Sequence, residues 1–326
     1  VVWEARAFWL REPGIGEIRA VSLPEPGPDD VVVRTLFSAV SRGTESLVFR
    51  GGVPASQYAT MRAPFQDGEF PGPVKYGYLN VGVVEYGPEH LRGRTVFCLY
   101  PHQTMYVVPA SSVVVVPDGV PPTRAVLTGI VETAVNALWD AAPLVGDRIA
   151  VVGAGMVGCC VARLLADLPG AQVTLVDVDA DRAPVAAALG VEFAAPGEAD
   201  GERDLVFHTS ATAAGLQLSL DLLAMEGTVT DLSWYGDTDV TLSLGGAFHS
   251  RRLGLRSSQV GLVAASRRAN RSPNGRLALA VELLCDPAFD ALLTTTSRFE
   301  ELPQVMAQIA TAKRPTLGHT LTYGRG

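Results

Sequence analysis

Apolar residues follow two different rhythms along the chain, and the change falls near Pro121. Before it the apolar runs are short, alternate loosely with polar residues and are broken by glycine and proline. Ala5–Leu10, Glu17–Val21 and Asp30–Ser38 read as strands, with a turn over Pro24–Pro28. Glycine and proline are dense from Arg42 to Pro88, which predicts loops. Val81–Tyr86 and Thr95–Leu99 read as strands flanking a turn at Gly87–Gly93, and Met105–Pro109 and Val113–Pro117 as two more. The expectation is an antiparallel or partly closed β domain with long loops.

Beyond Pro121 the period lengthens. Arg124–Ala142 carries helical spacing, and Gly146-Asp147 turns into an apolar strand, Ile149–Val152. Helix and strand then alternate: helix Cys159–Ala166, strand Val173–Val176, helix Asp181–Leu189, strands Val191–Ala194 and Asp204–His208, helix Ala214–Ala224 and strand Gly227–Leu232. A further strand, Arg252–Ser257, is expected to close the sheet. Helices Gly275–Leu284 and Leu302–Ala312 and a last strand, Gly318–Tyr323, complete the chain. The fold class is α/β: a doubly wound parallel sheet over residues 122–259, inserted in a β-rich domain made of 1–121 and 260–326.

The organising stretch is Arg148 to Asp177, RIAVVGAGMVGCCVARLLADLPGAQVTLVD. It reads strand, glycine turn, helix, strand, and ends on a carboxylate nineteen residues past the last glycine of the turn. Each part suits a dinucleotide. Gly153 allows the tight turn, Gly155 lets a pyrophosphate approach the backbone, and Gly158 lets helix and strand pack closely. The helix start at Met156 and Val157 offers unpaired N–H groups and a partial positive charge to phosphates. Asp177 is placed to accept hydrogen bonds from the adenosine ribose, and its charge opposes a 2′-phosphate, so NAD(H) is expected over NADP(H). The bland alternative is a glycine turn used only for packing.

Composition narrows the class further. With 326 residues two domains are expected, and 48% hydrophobic against 18% charged residues describes a globular chain. A net charge of −8 argues against nucleic acid or an anionic membrane as the main partner. The longest uncharged apolar run, Ile149–Ala162, is too short to span a bilayer. No signal-peptide pattern is read, although the chain begins at Val1 rather than methionine, and the cytoplasm is the expected compartment. Four cysteines make no disulfide framework and no zinc cluster. Cys159 and Cys160 read as small packing residues, and Cys98 with His102 has a spacing that could offer two metal ligands.

The order of β-rich domain, nucleotide domain and short return, with PEPGPDDVVVRT (24–35), SRGTES (41–46), YGYLNVGVV (76–84) and VPDGVPP (116–122), resembles the medium-chain dehydrogenase/reductase superfamily. The similarity runs over nearly the whole chain. SRGTE, PGPVKYGY, PHQTMYVVP, ETAVNALWDA, SWYG and FHSRRLGLRSSQVG are similar to the bacteriochlorophyllide a dehydrogenase branch and its relatives. The resemblance implies a GroES-like catalytic domain beside a Rossmann domain, an NAD(P)-dependent oxidoreductase, a small-molecule substrate and a homodimer paired near Arg252–Ser257.

It also exposes a departure. Zinc alcohol dehydrogenases of the superfamily take metal ligands at positions that match Arg42, Tyr78 and the Thr128–Glu132 region, where only Glu132 could ligate. The four-cysteine lobe of the zinc-storing members is missing. Arginine and tyrosine do not replace soft neutral ligands in a tetrahedral site, so no zinc is expected. The substrate oxygen's charge then falls to a proton donor or to hydrogen bonds. Tyr78 is the first candidate, its phenol lowered by a neighbouring cation, Arg42 or Lys75. Thr44 matches the superfamily's small hydroxyl that relays a proton, and Glu132 and His102 are further acid/base candidates. Each also has a structural alternative. Tyr78 could fill the metal's volume, Arg42 could pair with Glu45 or Glu132, Lys75 could be a solvated loop residue, and His102 a satisfied loop histidine.

Carried over residue by residue, the resemblance implies further cofactor contacts. Thr133 would lie under the nicotinamide, Arg182 beside the adenosine, Thr209 and Ser210 at the crossover after the fourth strand, Ser233 and Trp234 at the carboxamide, and His319 near the pyrophosphate. The expected reaction interconverts a secondary alcohol and a ketone on a bulky ring-bearing metabolite, without zinc. An enoyl or quinone reductase is the neighbouring alternative. A cofactor-binding scaffold or non-redox cyclase is the alternative from another class.

Overall fold

The structure, a computed structural model, describes residues 4–313 and 316–324. The remaining positions of the expected first domain, 1–3, 314–315 and 325–326, lie outside the described residues. In chain order it begins with β1 (Glu4–Glu12), β2 (Ile15–Ser22), β3 (Asp30–Val40) and α1 (Arg42–Phe49). Then come β4 (Asp67–Gly68), β5 (Val74–Lys75), β6 (Asn80–Tyr86), β7 (Thr95–Cys98), β8 (Met105–Pro109) and β9 (Val113–Val115). Next are α2 (Pro122–Ala125), α3 (Thr128–Ala141), β10 (Arg148–Val152), α4 (Met156–Ala166), β11 (Gln172–Val176), α5 (Ala183–Ala188) and β12 (Glu192–Ala194). The rest is β13 (Arg203–His208), α6 (Ala213–Asp221), β14 (Leu223–Asp231), α7 (Ala247–Ser250), β15 (Gly254–Ser257), α8 (Pro273–Leu283), β16 (Leu293–Arg298), α9 (Leu302–Ala310) and β17 (Gly318–Thr322).

The chain divides into two compact units, one of residues 1–129, 277–285 and 293–326, the other of 130–276 and 286–292. Residues 260–276, placed by the sequence with the β-rich part, fall in the second unit. The first unit is built on a seven-stranded sheet with β16, β17, β3, β6, β7 and β9 side by side and β8 paired to β3, and on a four-stranded sheet in the order β2, β1, β5, β4. Val31, Val33, Val84, Val96, Tyr106 and Val108 alternate inward to form its core, as half-buried antiparallel strands require.

The second unit is a six-stranded parallel sheet in the order β12, β11, β10, β13, β14, β15. Strand order reverses between β10 and β13, which is the switch point where such sheets open a ligand crevice at their carboxyl ends. Register levels that edge: Val152 pairs with Val176 and His208, and His208 with Asp231. These strands read as continuous apolar runs because both faces are covered. Ala150, Val206, Leu216, Leu223 and Val229 are packed in its core.

Four of the differences from the sequence reading have a local reason. Arg42–Phe49 is a helix, not loop: Leu47, Val48 and Phe49 are buried together, a pattern masked by the surrounding glycines. The expected Arg124–Ala142 helix is two helices, interrupted after Ala125. The Ala214–Ala224 helix ends at Asp221, since Leu223 and Ala224 belong to a buried strand that starts before the expected Gly227. The strand Leu293–Arg298, LTTTSR, was missed because its threonines carry little hydrophobic signal, yet it pairs in parallel with β17. No helix among the described residues is long and apolar enough to cross a membrane.

Candidate active site

At the carboxyl edge of the second unit the chain leaves β10 into Gly153, whose φ of +110° excludes an ordinary side chain. A Cβ on Gly158 would stand 1.9 Å from the Gly153 carbonyl oxygen, so α4 approaches the turn as closely as backbone allows. A Cβ on Gly155 would meet nothing within 4 Å, leaving open space in front of the helix start. The four amides from Gly155 to Gly158 begin α4, and the first intrahelical bond runs from the Cys159 amide to the Gly155 carbonyl. They are therefore available to an anion. Met156 is buried and Val157 half-buried behind them.

Asp177 follows β11 directly. One carboxylate oxygen accepts the Ala154 amide at 2.6 Å and the other the Asp179 amide at 2.9 Å. Two backbone donors leave lone pairs for ribose hydroxyls, because a carboxylate offers about four sites. Arg182 holds Asp179 at 3.2 Å. Thr209 donates to the Gly153 carbonyl at 2.8 Å and buttresses the turn. Ser210 and Ser233 lie at the ends of β13 and β14, both linked to His208, and Trp234 beside them is half-buried. Thr133 is half-buried on α3. The chain's residues thus fit a dinucleotide: a turn with room for a pyrophosphate, orphan amides and a carboxylate at the end of the neighbouring strand.

His319 is a correction. It lies on β17 in the first unit, buried, with Nδ1 2.7 Å from Thr295 Oγ1 and Nε2 2.8 Å from Ser297 Oγ. Both ring nitrogens are engaged inside the sheet, which withdraws it from a pyrophosphate contact.

In the first unit the expected catalytic residues separate into groups. Tyr78 donates its phenolic hydrogen to Ser41 Oγ at 2.5 Å and is also hydrogen-bonded to Thr44. Burial raises its pKa to about 12, partly opposed by those hydroxyls. The expected lowering by a cation is therefore overturned. The Arg42 guanidinium donates to the Thr316 carbonyl at 3.0 Å, while Lys75 donates to Gln103 Oε1 at 3.1 Å and lies over the Tyr100 ring. Lys75 is buried rather than solvated, and its desolvation, partly countered by Asp67, lowers its pKa.

His102 is buried in a polar chain. Its Nε2 lies 2.8 Å from Glu45 Oε2 and its Nδ1 2.8 Å from Ser38 Oγ, which in turn meets the Tyr323 hydroxyl at 2.7 Å. Both ring nitrogens are taken, so the pairing of His102 with Cys98 as metal ligands does not form. Glu45 also accepts the Ser41 amide at 2.8 Å, which ties this chain to the Tyr78 hydroxyl group through Ser41. Glu45 is thus the hub of this cluster.

Glu132 is likewise corrected. It belongs to the second unit and is held by Arg276 Nε at 3.0 Å, both side chains buried. Burial raises its pKa and Arg276 opposes the rise. A carboxylate locked in that way is a structural group, not a mobile acid or base. Among the described residues no group of three or more His, Cys, Asp or Glu could hold a metal ion.

Sequence reasoning missed Ser41, Ser38 and Tyr323 in the first unit, and His208, Asp231 and Tyr235 in the second. Ser41 and Glu45 stand within SRGTES, where Ser41 precedes the helix start. His208 and Asp231 are polar residues ending apolar parallel strands, the one local signal that marked them.

The chain matches no protein-family model and no curated protein. Its architecture is similar to solved structures along nearly all its length. For L-idonate 5-dehydrogenase from Escherichia coli the TM-score is 0.81 at 14% identity, over 99% of this chain and 99% of that one. For an oxidoreductase/dehydrogenase of unknown specificity involved in membrane biogenesis, also from Escherichia coli, it is 0.80 at 16% identity, over 99% and 100%. For a short chain alcohol dehydrogenase from Escherichia coli CFT073 complexed with cofactor NADH, it is 0.77 at 16%, over 98% and 99%. At these identities the likeness is one of fold, and it agrees with the two units described above. The chain has the fold of these dehydrogenase structures, a GroES-like β-rich unit and a Rossmann unit.

Proposed function

We propose that the protein is an NAD(H)-dependent oxidoreductase that interconverts a secondary alcohol and a ketone without a protein-held zinc. The observation that carries this is the glycine turn: open space at Gly155, backbone contact at Gly158, and the Asp177 carboxylate beside them. The fold neighbours, an alcohol dehydrogenase and an L-idonate 5-dehydrogenase by name, support it. Asp177 supports NAD(H) over NADP(H), since a 2′-phosphate would meet its charge.

When bound, the nicotinamide accepts or supplies the hydride. The chain's own residues handle the proton. In reduction, hydride addition leaves an alkoxide; Tyr78, kept neutral because burial pushes it up to about 12, gives its hydrogen to that oxygen. Ser41 and Thr44, already hydrogen-bonded to Tyr78, turn their hydrogens toward the phenolate left behind. Oxidation runs the same transfers backward. Glu45 fixes Ser41 through its backbone amide, so the Ser41 hydroxyl stays free to rotate. The bulky ring-bearing substrate is supported by the sequence motifs alone.

Tyr78→Phe tests the proton role. The variant is expected to keep NADH affinity and to lose about a hundredfold in kcat on whichever ketone a substrate panel identifies. Unchanged kcat would remove Tyr78 from the chemistry. Turnover confined to activated alkenes or quinones in the same panel would instead establish the reductase alternative, in which the same hydroxyl protonates carbon or an enolate. Tight NADH binding with no turnover on any class would favour the scaffold.

A further inference from the structure

Beside the glycine turn, at the carboxyl ends of β13 and β14, runs a line of polar side chains for which the proton chemistry above has no use. His208 ends β13 and is fully buried. Its Nδ1 lies 2.9 Å from Asp231 Oδ1 on neighbouring β14, and its Nε2 lies 2.7 Å from Ser210 Oγ. Asp231 also accepts the Ser233 amide at 2.9 Å and the Tyr235 hydroxyl at 3.0 Å. Burial works against its charge, yet the hydrogen bonds from His208, the Ser233 amide and Tyr235 hold the carboxyl below its usual value.

Counting hydrogens fixes the polarity of the line. An ionised carboxylate has none to give, so the hydrogen between Asp231 and His208 sits on Nδ1. A ring whose single hydrogen is on Nδ1 presents Nε2 as an acceptor, and Ser210 fills it with its O–H. On the other side Thr212 Oγ1, 3.0 Å from Ser210 Oγ, caps α6 by accepting the Gly215 amide at 3.0 Å. Its own hydrogen is thus available to Ser210. The Ser210 oxygen has one hydrogen and two lone pairs, and this uses the hydrogen and one lone pair. One lone pair remains, on a half-buried residue.

Space has been made for this arrangement. A Cβ at Gly215, in the first turn of α6, would stand 2.1 Å from Ser210 Oγ and 3.1 Å from His208 Nε2. A helix-favouring alanine is therefore excluded there by the serine hydroxyl. Ser210 also packs on the turn itself, since a Cβ at Gly153 would lie 2.7 Å from its amide. A dinucleotide crosses the crevice at the strand-order reversal. With Asp177 marking the adenosine side at β11, Ser210 at the end of β13 lies on the nicotinamide side.

We propose that Asp231 and His208 are positioning residues that fix the Ser210 hydroxyl as a hydrogen-bond acceptor for an O–H or N–H donor of the nicotinamide half, a ribose hydroxyl or the carboxamide. The ligand assignment rests on the dinucleotide reading above; the polarity of Ser210 does not. A bare lone pair accepts from an O–H or N–H donor and gives nothing to a phosphate.

Two measurements on the full chain test it. In ¹⁵N-histidine NMR at pH 8, His208 is expected as the Nδ1–H tautomer, with its Nε2 resonance shifted in Ser210→Ala. An Nε2–H tautomer would overturn the assignment. In binding titrations Ser210→Ala is expected to weaken NADH about five- to tenfold, the worth of one hydrogen bond. His208→Phe should weaken it by a similar factor, and the double variant by no more than either alone; additive losses would mean that His208 acts only on the fold. ADP-ribose, which lacks the carboxamide, separates the donors: equal loss for both ligands assigns the ribose hydroxyl, and loss for NADH alone assigns the carboxamide. NADH that binds wild type and Ser210→Ala equally overturns the proposal by itself. Failure of wild type to bind either ligand overturns the dinucleotide reading, and the ligand assignment with it.

Discussion

Gly158→Ala is expected to lower NADH affinity by about a thousandfold, roughly 4 kcal/mol, and to reduce the melting temperature. The added carbon would stand 1.9 Å from the Gly153 carbonyl oxygen and 2.6 Å from Thr209 Oγ1. Neither can yield cheaply: the carbonyl is backbone of the turn, and Thr209 is hydrogen-bonded to it. Relief requires α4 to move off β10, which carries the amides of Gly155–Gly158 away from the phosphate position. Overpacking of this kind costs about 1–3 kcal/mol in stability. Gly155→Ala is the informative contrast, because its Cβ meets nothing. It should keep the wild-type melting temperature and still weaken NADH, since the carbon takes space that the pyrophosphate needs. Calorimetric melting and NADH titration on both variants check this; undiminished affinity in Gly158→Ala would contradict the role given to the turn.

Arg276→Ala is expected to destabilise the protein by about 3–5 kcal/mol, the cost of removing one partner from a buried ion pair. Arg276 and Glu132 are 3% and 5% exposed in their side chains. The guanidinium also serves Asn136 Oδ1 and the carbonyls of Val260 and Leu262, so its loss takes a donor from two carbonyls besides the carboxylate, while Asn136 Oδ1 keeps the Ala264 amide. The sign of the pH dependence follows from Glu132. Burial already raises its pKa, and without Arg276 the rise is larger, so the folded variant binds a proton more readily than the unfolded chain. Stability of Arg276→Ala should then fall as pH rises through that raised pKa and recover on acidification, where protonated Glu132 needs no cation. Denaturant unfolding across pH tests both points. A loss within about 0.5 kcal/mol, the range of ordinary surface substitutions, would reopen Glu132 as an acid or base.

How much of this was legible in the sequence depends on distance along the chain. The dinucleotide turn was legible because its parts lie between Gly153 and Asp177 and every glycine has a local mechanical reason. The parallel sheet was legible from its apolar runs. Helix α1 and strand β16 were not, one hidden among glycines and the other written in threonines. The polar lines were the least legible: Glu45 meets His102 across 57 residues and Ser38 meets Tyr323 across 285. Only folding shows that His102 serves Glu45, or that Asp231 and Ser210 share His208. The direction of the Tyr78 shift was missed for the same reason. Lys75 is near it in sequence and Arg42 precedes the helix residue Thr44 that bonds to it, but their cations bond to the Gln103 side chain and the Thr316 carbonyl, leaving burial to decide.

The most direct test of the central claim is a fluorescence titration of purified, metal-analysed protein with NADH and NADPH in parallel. Saturable binding, tighter for NADH and obtained with substoichiometric zinc, is the expected result. It would match Asp177 at the ribose and a site that works through hydroxyls. Tighter NADPH would contradict the part assigned to Asp177, and no binding of either would contradict the account of the protein as a dinucleotide-dependent oxidoreductase.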